Sequence, residues 1–217
     1  MCRTVFSGNN LLLILPCILL SYCHTKDERL PYYNTPDFTP VFIQNTRNIE
    51  DSITHQIANF SLTGQDGKTI TGKDIEGKIH IASFIFTSCG SICPAITANL
   101  KKVGAHFEND SNVMILSFSV APWIDDVPVL KAYKENNGIT SKNWHFLTGD
   151  RSEIYNLART SYFAEEDLGF TKDSTDFLHT EHILLIDRSR RIRGIYNGTL
   201  KLDMDQLIRD IELLKNK

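Results

Sequence analysis

The sequence KIHIASFIFTSCGSICP, residues 78–94, joins a strand pattern to a helix pattern through a loop that carries two cysteines. Lys78–Thr87 is nearly continuously apolar and rich in β-branched and aromatic residues, as is typical of a strand buried on both faces. Pro94 begins a helical pattern, and its apolar face consists of Ile96, Leu100, Val103 and Phe107. The stretch therefore predicts a strand, a loop and a helix, in the order that parallel α/β sheets use.

The rest of the chain continues this alternation. We predict further strands at Val41–Gln44, Phe60–Thr63, Val113–Val120, Trp144–Leu147, Glu181–Asp187 and Ile192–Tyr196. We predict further helices at Val127–Asn136, Glu153–Ser161 and Asp203–Leu214. Strands that alternate with helices indicate parallel pairing through crossovers, and the last two strands indicate an antiparallel hairpin. The expected fold is α/β, a thioredoxin-like three-layer sandwich in which helices flank a mixed central β-sheet.

Composition and charge fit a globular domain and exclude one class of partner. The 217 residues leave room for one domain of about 150–200 residues and a leader. The formal net charge is −3 and the basic residues are scattered, whereas a nucleic-acid binder would show a basic stripe. The one basic cluster, Arg188–Arg193, alternates with apolar residues and is interpreted as a solvated strand end. We therefore expect no nucleic-acid partner.

The N-terminus is predicted to be a targeting segment. Leu11–Leu20 is an apolar run of ten residues, which fits a signal peptide, whereas a membrane-spanning helix needs about 20. The residues up to Cys23 resemble a bacterial lipoprotein signal with Cys23 as the lipidation site, although Tyr22 stands where a small residue is usual. The expected plan is a signal peptide over 1–23, a tether and lead-in over 24–50, and the folded domain over 51–217. Such a protein would be exported to the bacterial cell envelope and held on a membrane, facing the periplasm or the outside.

This leader determines how the five cysteines are interpreted. Cys2, Cys17 and Cys23 belong to it, so the domain keeps only Cys89 and Cys93. One close pair is not a disulfide scaffold. A disulfide across three intervening residues would also close only a short loop and stabilise the fold little. The pair is therefore expected to do redox chemistry or to bind a metal.

The position and spacing of the pair bear on this choice. Cys93 is predicted at a helix N-terminus, where free N–H groups and the helix dipole should make it more ionised than a free thiol. Exchange enzymes usually place two residues between their cysteines, and here there are three. The wider loop can still close a disulfide, but it also lets both sulfurs turn towards one ion. Soft thiolates favour Cu(I), zinc or an iron–sulfur cluster; zinc needs four ligands, whereas Cu(I) accepts two or three.

A third ligand would have to come from a histidine. The chain has seven: His24, His55, His80, His106, His145, His179 and His182. His179 and His182 precede or begin a strand of the same sheet, after the irregular stretch Glu165–Phe177. Positions three apart in an extended chain point to opposite faces, so only one of these two histidines can face the thiols. The residue pattern leaves open which of them does.

At these residues the sequence resembles the Sco (SCO/SenC) family of copper proteins. That family combines Cys-x-x-x-Cys-Pro with a histidine eight residues before an Asp that ends a strand. Here Cys89–Pro94 gives the first part, and His179 lies eight residues before Asp187. The stretch from Ser119 to Pro128 also resembles the loop that follows the family's next strand. The resemblance spans Phe60 to Leu214, with one departure: Gly90 stands where the family often has proline.

The resemblance implies copper, as Cu(I) or Cu(II), bound by Cys89, Cys93 and His179. It implies a copper chaperone for the dinuclear copper centre of cytochrome c oxidase. The partner would be that enzyme's copper-binding subunit or another acceptor of copper or of thiol exchange. The alternative is an enzyme, a thiol–disulfide oxidoreductase whose catalytic redox pair is Cys89 and Cys93. Disulfide-exchanging members of the thioredoxin group usually carry a cis-proline facing the thiols. This chain has no proline after Pro128, and His179 falls in that neighbourhood, which favours a metal site.

Overall fold

The computed structural model describes residues 29–43, 49–164 and 180–216. The predicted leader with Cys23, and the predicted ligand His179, lie outside these residues. The strands are β1 (Tyr32–Tyr33), β2 (Pro40–Val41), β3 (Ser61–Gly64), β4 (Thr69–Thr71), β5 (Ile79–Ile85), β6 (Val113–Ser119), β7 (Trp144–Thr148), β8 (His182–Ile186) and β9 (Ile192–Asn197). The helices are α1 (Ile49–Ser52), α2 (Ile92–His106), α3 (Val127–Asn136), α4 (Arg151–Asn156), which continues as a π-helical turn (Leu157–Ser161), and α5 (Lys201–Lys215).

The strands that the structure describes form one mixed sheet in the order β2-β1-β9-β8-β5-β6-β7-β3-β4. The neighbours β5, β6 and β7 are parallel, while β8 runs antiparallel to both β5 and β9. This confirms the predicted parallel crossovers, the C-terminal hairpin and the α/β class. The carboxyl ends of β5, β6 and β7 therefore meet at one edge of the sheet, which we call the carboxyl edge.

Helices cover both faces of the sheet because its central strands are apolar on both sides. One face packs under α2, α3 and α5, with buried contacts from Ile81, Leu130 and Leu207. The other face packs under α4 and the π-helical turn, with Phe84 and Phe118 among its buried residues. Fully burying one such side chain contributes about 1.5–3 kcal/mol. Within the described ranges, no helix is both long and apolar enough to cross a membrane.

A buried arginine ties the lead-in segment to the sheet. Arg193 donates to the carbonyl oxygens of Leu30 (2.7 Å) and Pro31 (2.8 Å) and pairs with Asp187 at 3.1 Å. Its guanidinium carbon also lies 3.7 Å from the ring centroid of Tyr32. We call this group of five residues the Arg193 clasp.

The interpretation of Arg188–Arg193 as a solvated strand end is therefore wrong for part of the cluster. Arg191 and Arg193 are both buried. Arg193 can be buried because a carboxylate and two main-chain carbonyls satisfy its donors. Arg191 likewise donates, to the carbonyl oxygen of Ile53.

Candidate functional site

The two cysteines lie at the carboxyl edge, where β5 ends and α2 begins. Cys89 is half-buried in the loop and Cys93 is buried in the first turn of the helix, and both are free thiols. The helix begins at Ile92, two residues before the proline from which it was predicted. Ser91, the N-cap residue, makes no side-chain capping bond, so the first N–H groups of the helix are left for another acceptor.

That acceptor is the sulfur of Cys89. Burial acts to raise the pKa of Cys89, but N–H groups of Cys93, Ser91 and Ile92 donate to its sulfur, as does the Cys93 thiol. The net result is a lowered pKa. A helix N-terminus stabilises a thiolate in this way because its N–H groups and dipole favour negative charge.

The thiol of Cys93 is shifted in the opposite direction. Burial raises the pKa of Cys93 to about 12. A hydrogen bond from the backbone N–H of Phe86 acts to lower that pKa, whereas the neighbouring Cys89 sulfur raises it further. The prediction that Cys93 would be more ionised than a free thiol is therefore wrong. The helix terminus acts on the sulfur that lies in front of it, Cys89, whereas Cys93 sits inside the first turn and is removed from water.

This asymmetry defines what the pair can do. Cys89 is partly accessible and its pKa is lowered, so it would be the first sulfur to react with a metal ion or a disulfide. Cys93 is hydrogen-bonded to it and holds its proton until a positive charge or a new bond replaces that proton. Two adjacent soft sulfurs of this kind suit Cu(I).

A buried carboxylate that the sequence reasoning missed holds the thiol loop in place. Asp125, only 1% exposed, accepts from the N–H of Thr87 (3.1 Å) and from the hydroxyls of Thr87 (2.5 Å) and Ser119 (2.6 Å). It thereby links the β5–α2 loop to the β6–α3 loop. The sequence contained one signal for this role, because two aspartates precede α3 and a helix needs only one N-cap. Asp126 is that cap and accepts from the N–H of Val129. Asp125 therefore had no local role.

Tyr133 of α3 also lies next to the thiols. Burial raises the pKa of its hydroxyl, a hydrogen bond with Thr97 (2.9 Å) opposes this, and the charges of Cys93, Cys89 and Asp125 raise it further. The Tyr133 hydroxyl is thus a neutral polar group beside the sulfurs at neutral pH.

His182 is not brought together with the thiols. Its ring packs edge-on against Phe38, with centroids 6.0 Å apart. Phe38 belongs to the core on the α4 side of the sheet, whereas both cysteines pack on the α2 side. Among the described residues, no group of three or more His, Cys, Asp or Glu side chains could hold a metal ion.

The strand that follows His179 begins at the carboxyl edge. In the antiparallel pairing of β8 with β5, Ile186 lies opposite His80 and Leu184 opposite Ala82. The N-terminal end of β8 therefore lies beside the carboxyl end of β5. The first described residue after the gap, Thr180, is buried there.

The SCO1/SenC family model matches residues 50–216. The structure is similar to that of a SCO1/SenC family lipoprotein from Bacillus anthracis str. Ames, with a TM-score of 0.64 and 29% identity over 74% of this chain and 95% of that one.

Two further solved structures carry functional descriptions. BsSco, described as a member of the Sco family of cytochrome c oxidase assembly proteins with a disulfide switch, gives a TM-score of 0.63 and 29% identity over 75% of this chain and 94% of its own. ScoI of Bradyrhizobium japonicum, solved with copper bound, gives 0.58 and 28% identity over 72% of this chain and 98% of its own. These matches confirm the thioredoxin-like fold and the family resemblance.

Proposed function

This chain belongs to the SCO1/SenC family, and on that premise we propose that it is a copper chaperone for the dinuclear copper centre of cytochrome c oxidase. Copper is its cargo, held by Cys89, Cys93 and His179 and passed to the copper-binding subunit of the oxidase. The observation that carries the proposal is the pair of free, hydrogen-bonded thiols at the carboxyl edge, one with a lowered pKa. The copper found in ScoI and the assembly role of the family of BsSco support it.

The state of the two thiols suits a cargo that must enter and leave. Copper replaces protons on its ligands, so binding releases them. Cys89, with its lowered pKa, gives up its proton more readily than Cys93, whose pKa is raised and whose proton must leave as copper binds. A disulfide between the two would remove both sulfur ligands together and expel the ion.

Two observations support His179 over His182 as the third ligand. His182 packs against Phe38, away from the cysteines. Thr180, the neighbour of His179 in the chain, lies at the edge that holds the thiol loop. The family register, eight residues before Asp187, selects the same histidine.

The test is an anaerobic Cu(I) titration of the reduced protein. We expect one copper per chain in the wild type and loss of that site in Cys89→Ser, Cys93→Ser and His179→Ala. His182→Ala is the matched control and should keep wild-type affinity. Equal losses at the two histidines would contradict the ligand set.

A second function, thiol–disulfide exchange, is favoured by the asymmetry of the pair. An accessible sulfur of lowered pKa beside a buried one of raised pKa is the arrangement of an attacking and a resolving cysteine. Cys89 would attack an acceptor disulfide and Cys93 would then displace the acceptor thiol, so that two electrons reduce the acceptor and leave a disulfide here. Cys93→Ser should then trap a mixed disulfide through Cys89, and failure to trap any would exclude this role.

We propose that the leader places the protein in the bacterial cell envelope, with 1–23 as signal peptide, 24–50 as tether and lead-in, and 51–217 as the copper-binding domain. The B. anthracis relative is described as a lipoprotein, which supports lipidation at Cys23. Cys23→Ala should abolish lipid labelling and release the protein from the membrane fraction. Unchanged labelling in that variant would contradict the site.

A further inference from the structure

Large apolar side chains are exposed at the same edge of the molecule as the thiols. Within the described residues, the exposed large apolar side chains are Phe42, Trp123, Ile124, Leu200 and Leu202. Four of these five, all except Phe42, lie in or next to loops at the carboxyl edge. Scattered exposed apolar residues need no explanation, but a cluster around a reactive site indicates an interaction surface.

Trp123 and Ile124 lie on the α3 side of the thiol loop. They belong to the loop that follows β6 and are 56% and 48% exposed. Asp125, the next residue, is bonded to Thr87, which lies two residues before Cys89. The position of this apolar pair is therefore fixed relative to the sulfurs.

Leu200 and Leu202 lie on the other side, next to α2. Asn197 ends β9 at the carboxyl edge, opposite His182 of β8. Leu200 follows in a turn, and its backbone N–H donates to the carbonyl oxygen of Asn197. The preceding Gly198 carbonyl accepts from Asn99 of α2, seven residues after Ile92 begins that helix. Leu200 is 51% exposed and Leu202, in the first turn of α5, is 79% exposed.

The ring of Trp123 packs against one arginine, which also lies over Tyr155. The guanidinium carbon of Arg151 lies 4.8 Å from the ring centroid of Trp123 and 5.0 Å from that of Tyr155. The guanidinium carbon of Arg159 lies 5.4 Å from the Tyr155 centroid as well. Arg151 begins α4 directly after β7, so it too lies at the carboxyl edge. Interface hot spots are enriched in Trp, Tyr and Arg, and fixed side chains lose little entropy on binding.

We propose that Trp123, Ile124, Leu200 and Leu202, here called the apolar rim, form the docking surface for the protein that accepts copper from the thiols. The inference rests on the proposed function. Metal transfer brings the acceptor's ligands into contact with Cys89, so the acceptor must cover the surface beside that sulfur. We expect that acceptor to present an apolar patch around its own cysteines, which would lie on the rim. In the transfer, Cu(I)–S bonds would form on the acceptor as the copper bonds to Cys89, Cys93 and His179 break. The acceptor's thiol protons would pass to Cys89 and Cys93, His179 would become a neutral imidazole without copper, and no electron would move.

The test measures copper transfer to the reduced, copper-free soluble copper-binding domain of cytochrome c oxidase. The variants are Trp123→Ala and Leu202→Ala. Phe42→Ala is the matched control, because Phe42 is 63% exposed and lines a groove with His106, at the end of α2 farthest from Cys93. We expect the second-order transfer rate to fall at least about tenfold in Trp123→Ala and to be unchanged in the control. Cu(I) affinity and the rate at which Cys89 reacts with a small disulfide should stay at wild-type values.

Each other outcome overturns a defined part of the proposal. A wild-type rate in both rim variants would remove the docking surface and leave the chaperone function standing. A wild-type protein that transfers no copper would overturn the proposed function and the docking surface with it. A fall in Cu(I) affinity or thiol reactivity in Trp123→Ala would make Trp123 a support for the thiol loop. Self-association of the wild type that Trp123→Ala abolishes would make the rim an interface between copies of this chain.

Discussion

The two adjacent sulfurs carry opposite pKa shifts because burial raises the pKa of Cys93, whereas N–H groups at the start of α2 lower that of Cys89. The donors of Ser91, Ile92 and Cys93 converge on Cys89, while Cys93 faces the core under α2. Chemical identity and sequence spacing do not distinguish the two cysteines, whereas burial and donor direction do. The division of roles between them is therefore a property of single residues.

The copper-free, reduced protein should show two thiolate titrations well separated in pH. Absorbance at 240 nm should rise first below the usual pKa of a cysteine, from Cys89, and again near pH 12, from Cys93. At neutral pH, iodoacetamide should therefore modify Cys89 first, as peptide mass spectrometry can show. Cys89→Ser should remove the first transition. Modification of Cys93 before Cys89 would contradict the assignment.

Asp125→Asn tests whether the buried carboxylate positions the thiol loop. The amide can keep only part of the hydrogen bonding with Thr87 and Ser119 and loses the charge that strengthens it, so urea unfolding should show a loss of about 1–3 kcal/mol. The titration of Cys89 should shift as well, because the loop that aims its sulfur is loosened.

The neighbouring carboxylate gives the matched control. Asp126→Ala removes the N-cap of α3 and should cost about 0.5–2 kcal/mol. It should leave the Cys89 titration where it is, because Asp126 caps a different helix. A shift of equal size in both variants would mean that general destabilisation, not loop position, moves the pKa.

Among the elements, those with a long local pattern were predictable. Helix α3 has the predicted bounds because Asp126 caps it, Pro128 lies in its first turn, and Gly138 follows with a φ of 60°. The short strands β1 and β4 and the four-residue α1 were missed because a few residues carry no measurable periodicity. They form only because the rest of the fold supplies their partners.

In the candidate site, too, features set by adjacent residues were predictable, and contacts between distant residues were not. The strand, loop and helix around Cys89 follow from adjacent residues and were predictable. Asp125 lies 38 residues from Thr87, and the partners of Arg193 lie 162 and 163 residues away. Nothing local in the sequence records such contacts, so the bracing of the loop and the burial of Arg193 were not predicted.

The Arg193 clasp should be a main stabilising link between β1 and the C-terminal hairpin. In Arg193→Met, Asp187 would remain buried without its charge partner, and we expect a loss of about 3–5 kcal/mol in urea unfolding. Limited proteolysis should then cut within residues 29–43. The matched control is Lys102→Met, which removes an exposed ion pair with Asp205 and should cost at most about 1 kcal/mol. Comparable losses in the two variants would show that the clasp contributes no more than a surface pair.

At the scale of the whole molecule, a buried histidine makes folding sensitive to acid. His80 lies inside the sheet, with Nε2 3.0 Å from the Tyr162 hydroxyl. Burial, with a further contribution from the charge of Arg190, lowers the pKa of His80 to about 3. Between the unfolded pKa near 6.5 and this value, the unfolded chain binds a proton that the folded one does not. Stability therefore falls as pH decreases through that window.

His80→Gln should remove this part of the acid sensitivity. In the wild type, His80 contributes a slope of at most about 1.4 kcal/mol per pH unit to the free energy of unfolding below pH 6.5. The glutamine can keep a hydrogen bond to Tyr162 and does not titrate. Urea unfolding at several pH values between 4 and 7 measures the slope for both proteins. An identical slope in the two would show that His80 is not the acid-sensitive group.

The Arg193 clasp holds Leu30 and Pro31 at the end of the domain opposite the thiols. It binds the backbone of Leu30 and Pro31 near the groove that holds His106 and Asn216, where α2 and α5 end, while the thiols lie where α2 begins. Helix α2 has 15 residues, so the two ends are separated by about 22 Å. If the residues before Leu30 were attached to a lipid surface, the sulfurs would therefore lie at the end of the domain away from the headgroups. There they would be accessible to neighbouring membrane proteins.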